Sequence, residues 1–291
     1  MRIGSIRTKR WTAWHALAAA VMAVVGVAAT YPAWADMFMI AYKDEENSHI
    51  FLVPLVALWM VFVRRLRFRH CRVTGTALGL IIVAFGWAVS WYGRQHRHDA
   101  LFHGGSVLVV IGCMLSVLGK QALFRFFPAV AVLAFLVPVP GRIRQEIAIP
   151  LQTWTAQISQ VVLEVMGVPV ERSVNQLTVN GVPVNIIEAC NGLRMVWPLF
   201  LMSYAFSFGL PLRNSVRFVV LLASPLAAIF CNVVRILPTI WLYSYHTKRV
   251  GDLFHDYSGW LMLPIAFLLL LGVIKTLKWV MIPVYRYTLA S

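Results

Sequence analysis

Charged residues are scarce in this chain of 291 residues, and only 11 of them are acidic. Asp, Glu, Lys and Arg together make up 13% of the sequence, whereas soluble domains average roughly a quarter. Hydrophobic residues reach 60% and the mean hydropathy is +0.74. This composition excludes an ordinary soluble domain and predicts a chain that crosses a membrane several times.

Several sequence motifs are also missing. The four cysteines show no CxxC spacing (Cys71, Cys113, Cys190 and Cys231), so zinc-ribbon and thioredoxin-like sites have no support. No phosphate-binding glycine loop, dinucleotide fingerprint or metal-ligand spacing occurs, and we expect no cofactor and no metal. The sequence does not decide whether Cys190 and Cys231 form a disulfide. We expect one membrane domain over residues 1–291, without repeats or a soluble appendage.

Apolar runs of spanning length predict an all-α polytopic membrane protein with about eight transmembrane helices. The first run could also be read as a signal peptide, although its apolar core is long for one. The expected spans are 12–34, 50–63, 74–93, 102–119, 122–139, 192–210, 215–244 and 257–282.

The few acids are unevenly distributed among the predicted loops. If the N-terminus lies inside the cell, the inner loops hold 16 of the 26 basic residues and none of the acids. Positive charge kept on the cytoplasmic side is the usual orientation signal of membrane proteins. We therefore expect both termini inside, and the net charge of +15 needs no nucleic acid to explain it.

The long outer loop, residues 140–188, carries two local patterns. Apolar residues from Ile143 to Val165 recur at three- and four-residue spacing, which predicts an amphipathic helix. Pro150 would break that helix in two or open its second half, and the helix could lie in the interface or pack on the spans. Asn180-Gly181 then predicts a β-hairpin, with Pro183 confining its strand to an edge.

The hairpin leads into the segment Glu188-Ala-Cys-Asn-Gly-Leu-Arg194. Cys190 could be a structural cysteine or a nucleophile, and Glu188 could cap the following helix. Other polar residues fall on the same predicted side of the membrane, where ionisable groups usually have a function. They are His49, Arg194, Asn232, Arg235 and His255.

These residue types suit acyl transfer. Only a few per cent of a free thiol is thiolate at neutral pH, and a nearby cation or a helix N-terminus raises that fraction. Arg235 could activate Cys190 or stabilise an oxyanion, and His255 could protonate a leaving amine. Simpler readings remain: the arginines could reach lipid headgroups, His255 could anchor its helix, and His49 could be an interface residue.

In ordered blocks along most of its length, the chain resembles the exosortase/archaeosortase family of membrane cysteine transpeptidases. The last three blocks are the most specific. In chain order the blocks are Ser48-His49 with Pro54 and Trp59, Pro138-Val-Pro140, Pro150-Leu-Gln152, Gly167-Val-Pro-Val170, Glu188–Arg194, Asn232-Val-Val-Arg235, and His255 with Gly259-Trp260.

The resemblance implies a protease that cleaves a C-terminal sorting signal of exported proteins in the bacterial inner membrane. That signal, known as PEP-CTERM, combines a Pro-Glu-Pro motif, a hydrophobic helix and a basic tail. By position, the family's catalytic residues fall on Cys190, Arg235 and His255. The supporting set comprises His49, Glu188, Asn191, Gly192, Arg194 and Asn232.

The resemblance also implies a thioacyl intermediate on Cys190, facing the periplasm, with transfer to an amine or to water. Asn191 stands where serine is more usual in the family. The lipid bilayer and the exported substrates are the expected partners, with accessory or exopolysaccharide-biosynthesis proteins as separate chains. Two other functions remain open: a polysaccharide transporter or export component, and a non-catalytic scaffold, which would tolerate loss of Cys190.

Overall fold

A computed structural model describes residues 12–71, 76–185 and 193–279. The chain divides into two compact units, 1–140 and 141–291. In the first unit the α-helices are α1 (Ala13–Ala29), α2 (Tyr31–Lys43), α3 (Val53–Val63), α4 (Ala77–Gln95), α5 (Asp99–Leu118), α6 (Lys120–Arg125) and α7 (Phe127–Ala131), with 3₁₀ helices at Glu45–Phe51, Arg65–His70 and Val132–Leu136. The second unit contains α8 (Gly141–Val165), β1 (Val170–Ser173), β2 (Gln176–Val179), β3 (Val182–Asn185), α9 (Leu193–Gly209), α10 (Asn214–Tyr245) and α11 (Lys248–Trp279).

The helices confirm the all-α polytopic membrane fold. Among the described residues, four helices are long and apolar enough to span a membrane alone, and up to seven spans result if three bent pairs each count as one. The shorter apolar helix Val196–Gly209 lies within α9. The total of eight transmembrane spans therefore remains a prediction. The four helices that qualify alone are Glu46–Val63, Ala77–Gln95, Asp99–Leu118 and Asn214–Tyr245.

Two predicted spans are wrong as continuous helices. The span predicted at 12–34 turns by 86° where α1 ends and α2 begins, because Pro32 lacks the N–H that would continue the helix. The span predicted at 122–139 is split into α6, α7 and a 3₁₀ helix, with Pro128 in the first turn of α7. In both places a proline opens a new helix.

Helices α4 and α5 of the first unit approach each other closely. Gly79, Gly86 and Gly93 recur every seven residues along α4, and a Cβ added at any of them would come within 3 Å of the α5 backbone. On α5, Gly105 and Gly112 face α4 in the same way. Small residues let membrane helices approach to backbone contact, so these glycines fix the α4–α5 pair.

In the second unit, the amphipathic helix is confirmed, but Pro150 does not break it: α8 is one helix from Gly141 to Val165. The proline ring is on the exposed side, so the carbonyl that it leaves without an N–H donor is not in the protein interior. The predicted apolar stripe is mostly exposed, as at Ile143 and Trp154. The part that packs on α10 includes Leu151 from the stripe and Ala148 from outside it, which cluster with Ile229.

The hairpin is confirmed and belongs to a three-stranded antiparallel sheet of order β1-β2-β3. Asn180 and Gly181 have φ of 52° and 74°, the left-handed conformation that this tight turn needs. Pro183, paired with Thr178, lies in the edge strand β3. Sequence analysis missed β1, whose turn to β2 places Val174 at φ 53°.

The sheet packs on the second half of α10. Leu177 and Val179 of β2 are fully buried in one cluster with Ile236 and Ile240. At the hairpin turn, Asn180 Nδ2 donates to the Ser244 carbonyl at 3.3 Å. The strands therefore run alongside α10, with the hairpin turn near the end of that helix.

Helices α10 and α11 form a long antiparallel pair. Contacts at several positions along the two helices define their register. Tyr243 donates to Asp252 at 2.6 Å near the connection, and Ala228 and Ala266 share a buried cluster further along. The eighth span was expected at 257–282, but α11 already begins at Lys248. His255 therefore lies inside a helix, and the prediction that it precedes one is wrong.

Candidate active site

Most of the predicted nucleophile segment lies outside the described residues. This applies to Glu188, Cys190, Asn191 and Gly192, while Arg194 lies in the first turn of α9. The site is therefore described through α9, α10, α11 and the sheet, which surround the two ends of this segment.

Arg235 and Asn232 form the polar centre of α10. Their side chains are 2% and 0% exposed, and Arg235 Nη2 donates to Asn232 Oδ1 at 3.1 Å. Their spacing of three residues places them on one helix face, as predicted. Snorkelling to lipid headgroups, the simpler reading of Arg235, does not fit a guanidinium that is buried against its own helix and its neighbours.

Arg235 also reaches the surface of α11. A Cβ added at Gly259 would lie 3.1 Å from Arg235 Nη1, so glycine leaves the room that the guanidinium occupies. His255 precedes Gly259 by four residues, one helical turn, on the same side of α11. It is half-buried, and its carbonyl accepts a hydrogen bond from Ser258 Oγ at 3.1 Å.

The antiparallel register places His255 level with Thr239, one turn of α10 beyond Arg235. Thr239 Oγ1 donates to the Arg235 carbonyl at 2.8 Å, and this side chain is 1% exposed. Two of the three predicted catalytic residues, Arg235 and His255, therefore lie within one helical turn of each other across the α10–α11 interface.

Helix α9 begins at the same level. It runs antiparallel to α10: near its end the Ser207 carbonyl accepts from Arg217 Nε at 2.8 Å, and further back Leu199 packs with Ala228 and Cys231. Continuing that register by six residues brings Leu193, the first residue of α9, level with Arg235. The segment that contains Cys190 ends at Leu193.

The other end of this segment is fixed by the sheet. Asn185, the last residue of β3, pairs with Gln176 at the end of the sheet away from the hairpin turn. Since the turn contacts Ser244 and Leu177 packs on Ile236, the Asn185 end points along α10 towards Arg235. Both described ends of the chain around Cys190 thus lead to the level of Arg235.

His49 belongs to the other unit. It lies in the 3₁₀ helix Glu45–Phe51, directly before α3, and is 2% exposed. Its Nδ1 lies 3.1 Å from the Glu46 carbonyl oxygen. The His49 side chain is therefore packed inside the protein, and both its reading as an interface residue and its predicted part in the site stay predictions.

The other cysteines are in apolar or shielded places. Cys113 and Cys231 are buried within α5 and α10, and Cys71 is buried after the 3₁₀ helix Arg65–His70. All three are free thiols. In the described ranges, no group of three or more His, Cys, Asp or Glu side chains could hold a metal ion.

Sequence reasoning missed two features. Gly259 was part of a motif, but its role as the space for Arg235 depends on a helix register that one sequence does not reveal. The pair His103–Asp36, with Nε2 and Oδ2 at 2.8 Å, was not identified either. A histidine in the span predicted at 102–119 and an acid just beyond the span predicted at 12–34 were the available signal.

The family model described as transmembrane exosortase matches residues 34–272. This match covers most of the chain and includes every predicted site residue, so the chain belongs to the transmembrane exosortase family. No curated protein and no solved structure matches the chain.

Proposed function

We propose that this exosortase is a cysteine transpeptidase that cleaves a PEP-CTERM-like sorting signal from exported proteins at the periplasmic face of the inner membrane. Cys190 is the nucleophile, Arg235 supplies a fixed positive charge, and His255 is the proton donor. The observation that carries the proposal is the buried Arg235, hydrogen-bonded to Asn232 and packed against the α11 turn that follows His255.

Chain connectivity supports the position of the nucleophile. Three peptide units separate Cys190 from Leu193, and consecutive Cα atoms are about 3.8 Å apart, which limits their separation to about 11 Å. Since the start of α9 is level with Arg235, this limit supports a nucleophile close to the level of the guanidinium. The predicted helix N-terminus would add a second stabilising charge for a thiolate.

The proposed reaction has two acyl transfers. The Cys190 thiolate attacks the scissile carbonyl, the C–N bond breaks, and the His255 imidazolium gives its proton to the leaving amine. An amine or water then attacks the thioester, its proton returns to His255, and the thiolate is released. Atoms and charge balance without a cofactor.

In this scheme Arg235 could activate the thiol or stabilise the oxyanion. Its burial favours stabilisation of the oxyanion. A desolvated cation held by Asn232 costs no reorganisation when negative charge develops on the substrate carbonyl oxygen. The Arg235→Gln variant should lose about 10²- to 10³-fold in processing rate, the usual effect of removing one oxyanion-stabilising donor.

The pH dependence of Cys190 alkylation distinguishes oxyanion stabilisation by Arg235 from thiol activation. If Arg235 acts on the oxyanion, alkylation of Cys190 in Arg235→Gln should follow the wild-type pH profile while processing is lost. A profile moved to higher pH would instead assign thiol activation to Arg235, because removal of a nearby cation raises a thiol pKa.

The central test is substitution of the nucleophile. Cys190→Ala, co-expressed with a reporter that carries a Pro-Glu-Pro motif, a hydrophobic helix and a basic tail, should leave the reporter at full length. Cys231→Ala is the matched control, since this thiol is buried in α10. Unchanged processing in Cys190→Ala would contradict the proposal and favour a scaffold or a polysaccharide-export component.

A further inference from the structure

A cluster of cations lies in the first unit, whereas Cys190, Arg235 and His255 belong to the second. We call it the basic corner and define it as Arg65, Arg67, Lys120 and Arg125. Arg65 and Arg67 lie in the 3₁₀ helix Arg65–His70 that follows α3, and Lys120 and Arg125 are the first and last residues of α6. All four side chains are exposed.

Direct contacts hold the two segments of the basic corner together. Phe68 stacks on Phe126 with ring centroids 4.2 Å apart and an interplanar angle of 26°. Arg67 Nη1 donates to the Arg125 carbonyl at 3.4 Å. The cations thus form one surface, although about 55 residues separate the two segments.

Among the residues that the structure describes, none of the four cations forms a salt bridge with an acid. The sequence contains no Asp or Glu between Glu46 and Asp99, and none between Asp99 and Glu146. Four exposed cations close together repel one another, and an anion from outside the chain would relieve that repulsion.

The neighbours of the cations are apolar and exposed. Leu66 is 64% exposed, Phe124 74% and Phe127 58%. Arg65 lies with its guanidinium carbon 4.2 Å from the centroid of the Phe62 ring. Cations interleaved with exposed aromatic and aliphatic side chains match a ligand with an anionic head and hydrocarbon tails.

We propose that the basic corner binds the headgroup of an anionic phospholipid. The phosphate accepts hydrogen bonds from the Arg67 and Arg125 guanidinium groups, whose planar N–H forks suit phosphate oxygens. The acyl chains lie along Leu66, Phe124 and Phe127. A soluble phosphate would use the same cations but would gain nothing from this apolar border.

Native mass spectrometry of the full-length protein, titrated with phosphatidylglycerol or with phosphatidylcholine of the same acyl chains, tests the proposal. We expect phosphatidylglycerol to bind at least tenfold more tightly. The double variant Arg67→Gln/Arg125→Gln should lose most of this preference, since each basic residue near an anionic lipid surface contributes roughly fivefold in affinity.

The matched control is Arg94→Gln/Arg97→Gln, which removes the same charge from exposed positions of the same unit. This control should keep the wild-type lipid preference, and Arg67→Lys/Arg125→Lys should keep part of it. Equal losses in the Gln double variant and the control would overturn the proposal. So would full competition by glycerol phosphate, which has the anionic group but no acyl chains.

The thermal unfolding temperature in phosphatidylcholine nanodiscs shows whether the Gln double variant is folded. If it unfolds, Arg67→Lys/Arg125→Lys carries the test: lower affinity for phosphatidylglycerol with unchanged affinity for phosphatidylcholine supports the site, and unchanged affinity for both overturns it. Sorting-signal processing is not used as a readout, so the outcome does not depend on the proposed function.

Discussion

At the scale of single residues, the central problem is the burial of Arg235 in a membrane helix. An ionisable side chain inside a bilayer costs a few kcal/mol or more and persists where neighbours compensate for it. Asn232 provides an acceptor at 3.1 Å, and Gly259 provides space on the facing helix. Arg235 is therefore fixed in position, which is what electrostatic stabilisation of a reacting group requires.

The first prediction concerns the space at Gly259. In Gly259→Ala the new Cβ would lie 3.1 Å from Arg235 Nη1, so the guanidinium must move by a few tenths of an ångström. We expect processing of the reporter to fall several-fold in Gly259→Ala and by about 10²-fold in Gly259→Val, because catalysis is sensitive to such displacements.

The stability of these variants separates misplacement from unfolding. Alanine is a better helix former than glycine by roughly 1 kcal/mol, so Gly259→Ala should keep the wild-type unfolding temperature. Gly272→Ala on the same helix is the control, because no atom lies within 4 Å of its added Cβ. If Gly259→Ala processes the reporter at the wild-type rate, the guanidinium is not confined by α11.

The extent to which this site could be predicted depends on the kind of information needed. Asn232 and Arg235 were placed on one face correctly because their spacing within one helix decides it. The approach of Arg235 to Gly259 depends on the register between α10 and α11, which tertiary packing sets. His255 was placed before the helix because the apolar run begins near residue 257, whereas α11 already begins at Lys248, in a segment where Gly251 packs on the Tyr243 ring.

At the scale of elements, glycines decide how closely α4 and α5 pack. Their seven-residue spacing on α4 keeps them on one side of the helix. A Cβ at Gly86 would lie 2.8 Å from both the Gly105 carbonyl oxygen and the Val109 nitrogen. Backbone atoms cannot move aside as side chains do, so the two helices would have to separate.

The second prediction is that Gly86→Ala destabilises the first unit. Overpacking costs about 1–3 kcal/mol, and the gain in helix propensity of roughly 1 kcal/mol offsets only part of it. The unfolding temperature in detergent should therefore fall. Gly104→Ala is the control, since its Cβ would meet only Val137 at 3.8 Å. An unchanged unfolding temperature in both variants would show that the close α4–α5 contact does not determine the stability of the first unit.

In the sheet, local sequence patterns predict one of the two turns and not the other. Asn180-Gly181 predicted its turn because few other residue pairs adopt the left-handed conformation. The turn before β2 uses Val174 in that conformation, against its propensity. Side chains of α8 hold this turn: Asn175 contacts Thr153 at 3.1 Å and Gln152 at 3.0 Å. Because these contacts join residues 22 and 23 positions apart, the local sequence does not predict this turn.

At the scale of the whole molecule, the prediction that matters most is the membrane side of the site. From the charge asymmetry we expect Cys190 on the periplasmic side and Cys71 on the cytoplasmic side. Burial raises the pKa of the Cys71 thiol, and the charge of Arg125 partly opposes this effect. At neutral pH, Cys71 should therefore be less ionised than a free thiol, in addition to being shielded from solvent.

The third prediction uses two single-cysteine variants, each with the other three cysteines replaced by alanine. A membrane-impermeant maleimide applied to intact spheroplasts should label the Cys190 variant within minutes at pH 7. The Cys71 variant should react only after permeabilisation, and faster as the pH rises, because a raised pKa leaves less thiolate at neutral pH. Labelling of Cys190 only after permeabilisation would place the segment in the cytoplasm, where exported substrates do not reach it, and would contradict the topology and the proposed reaction together.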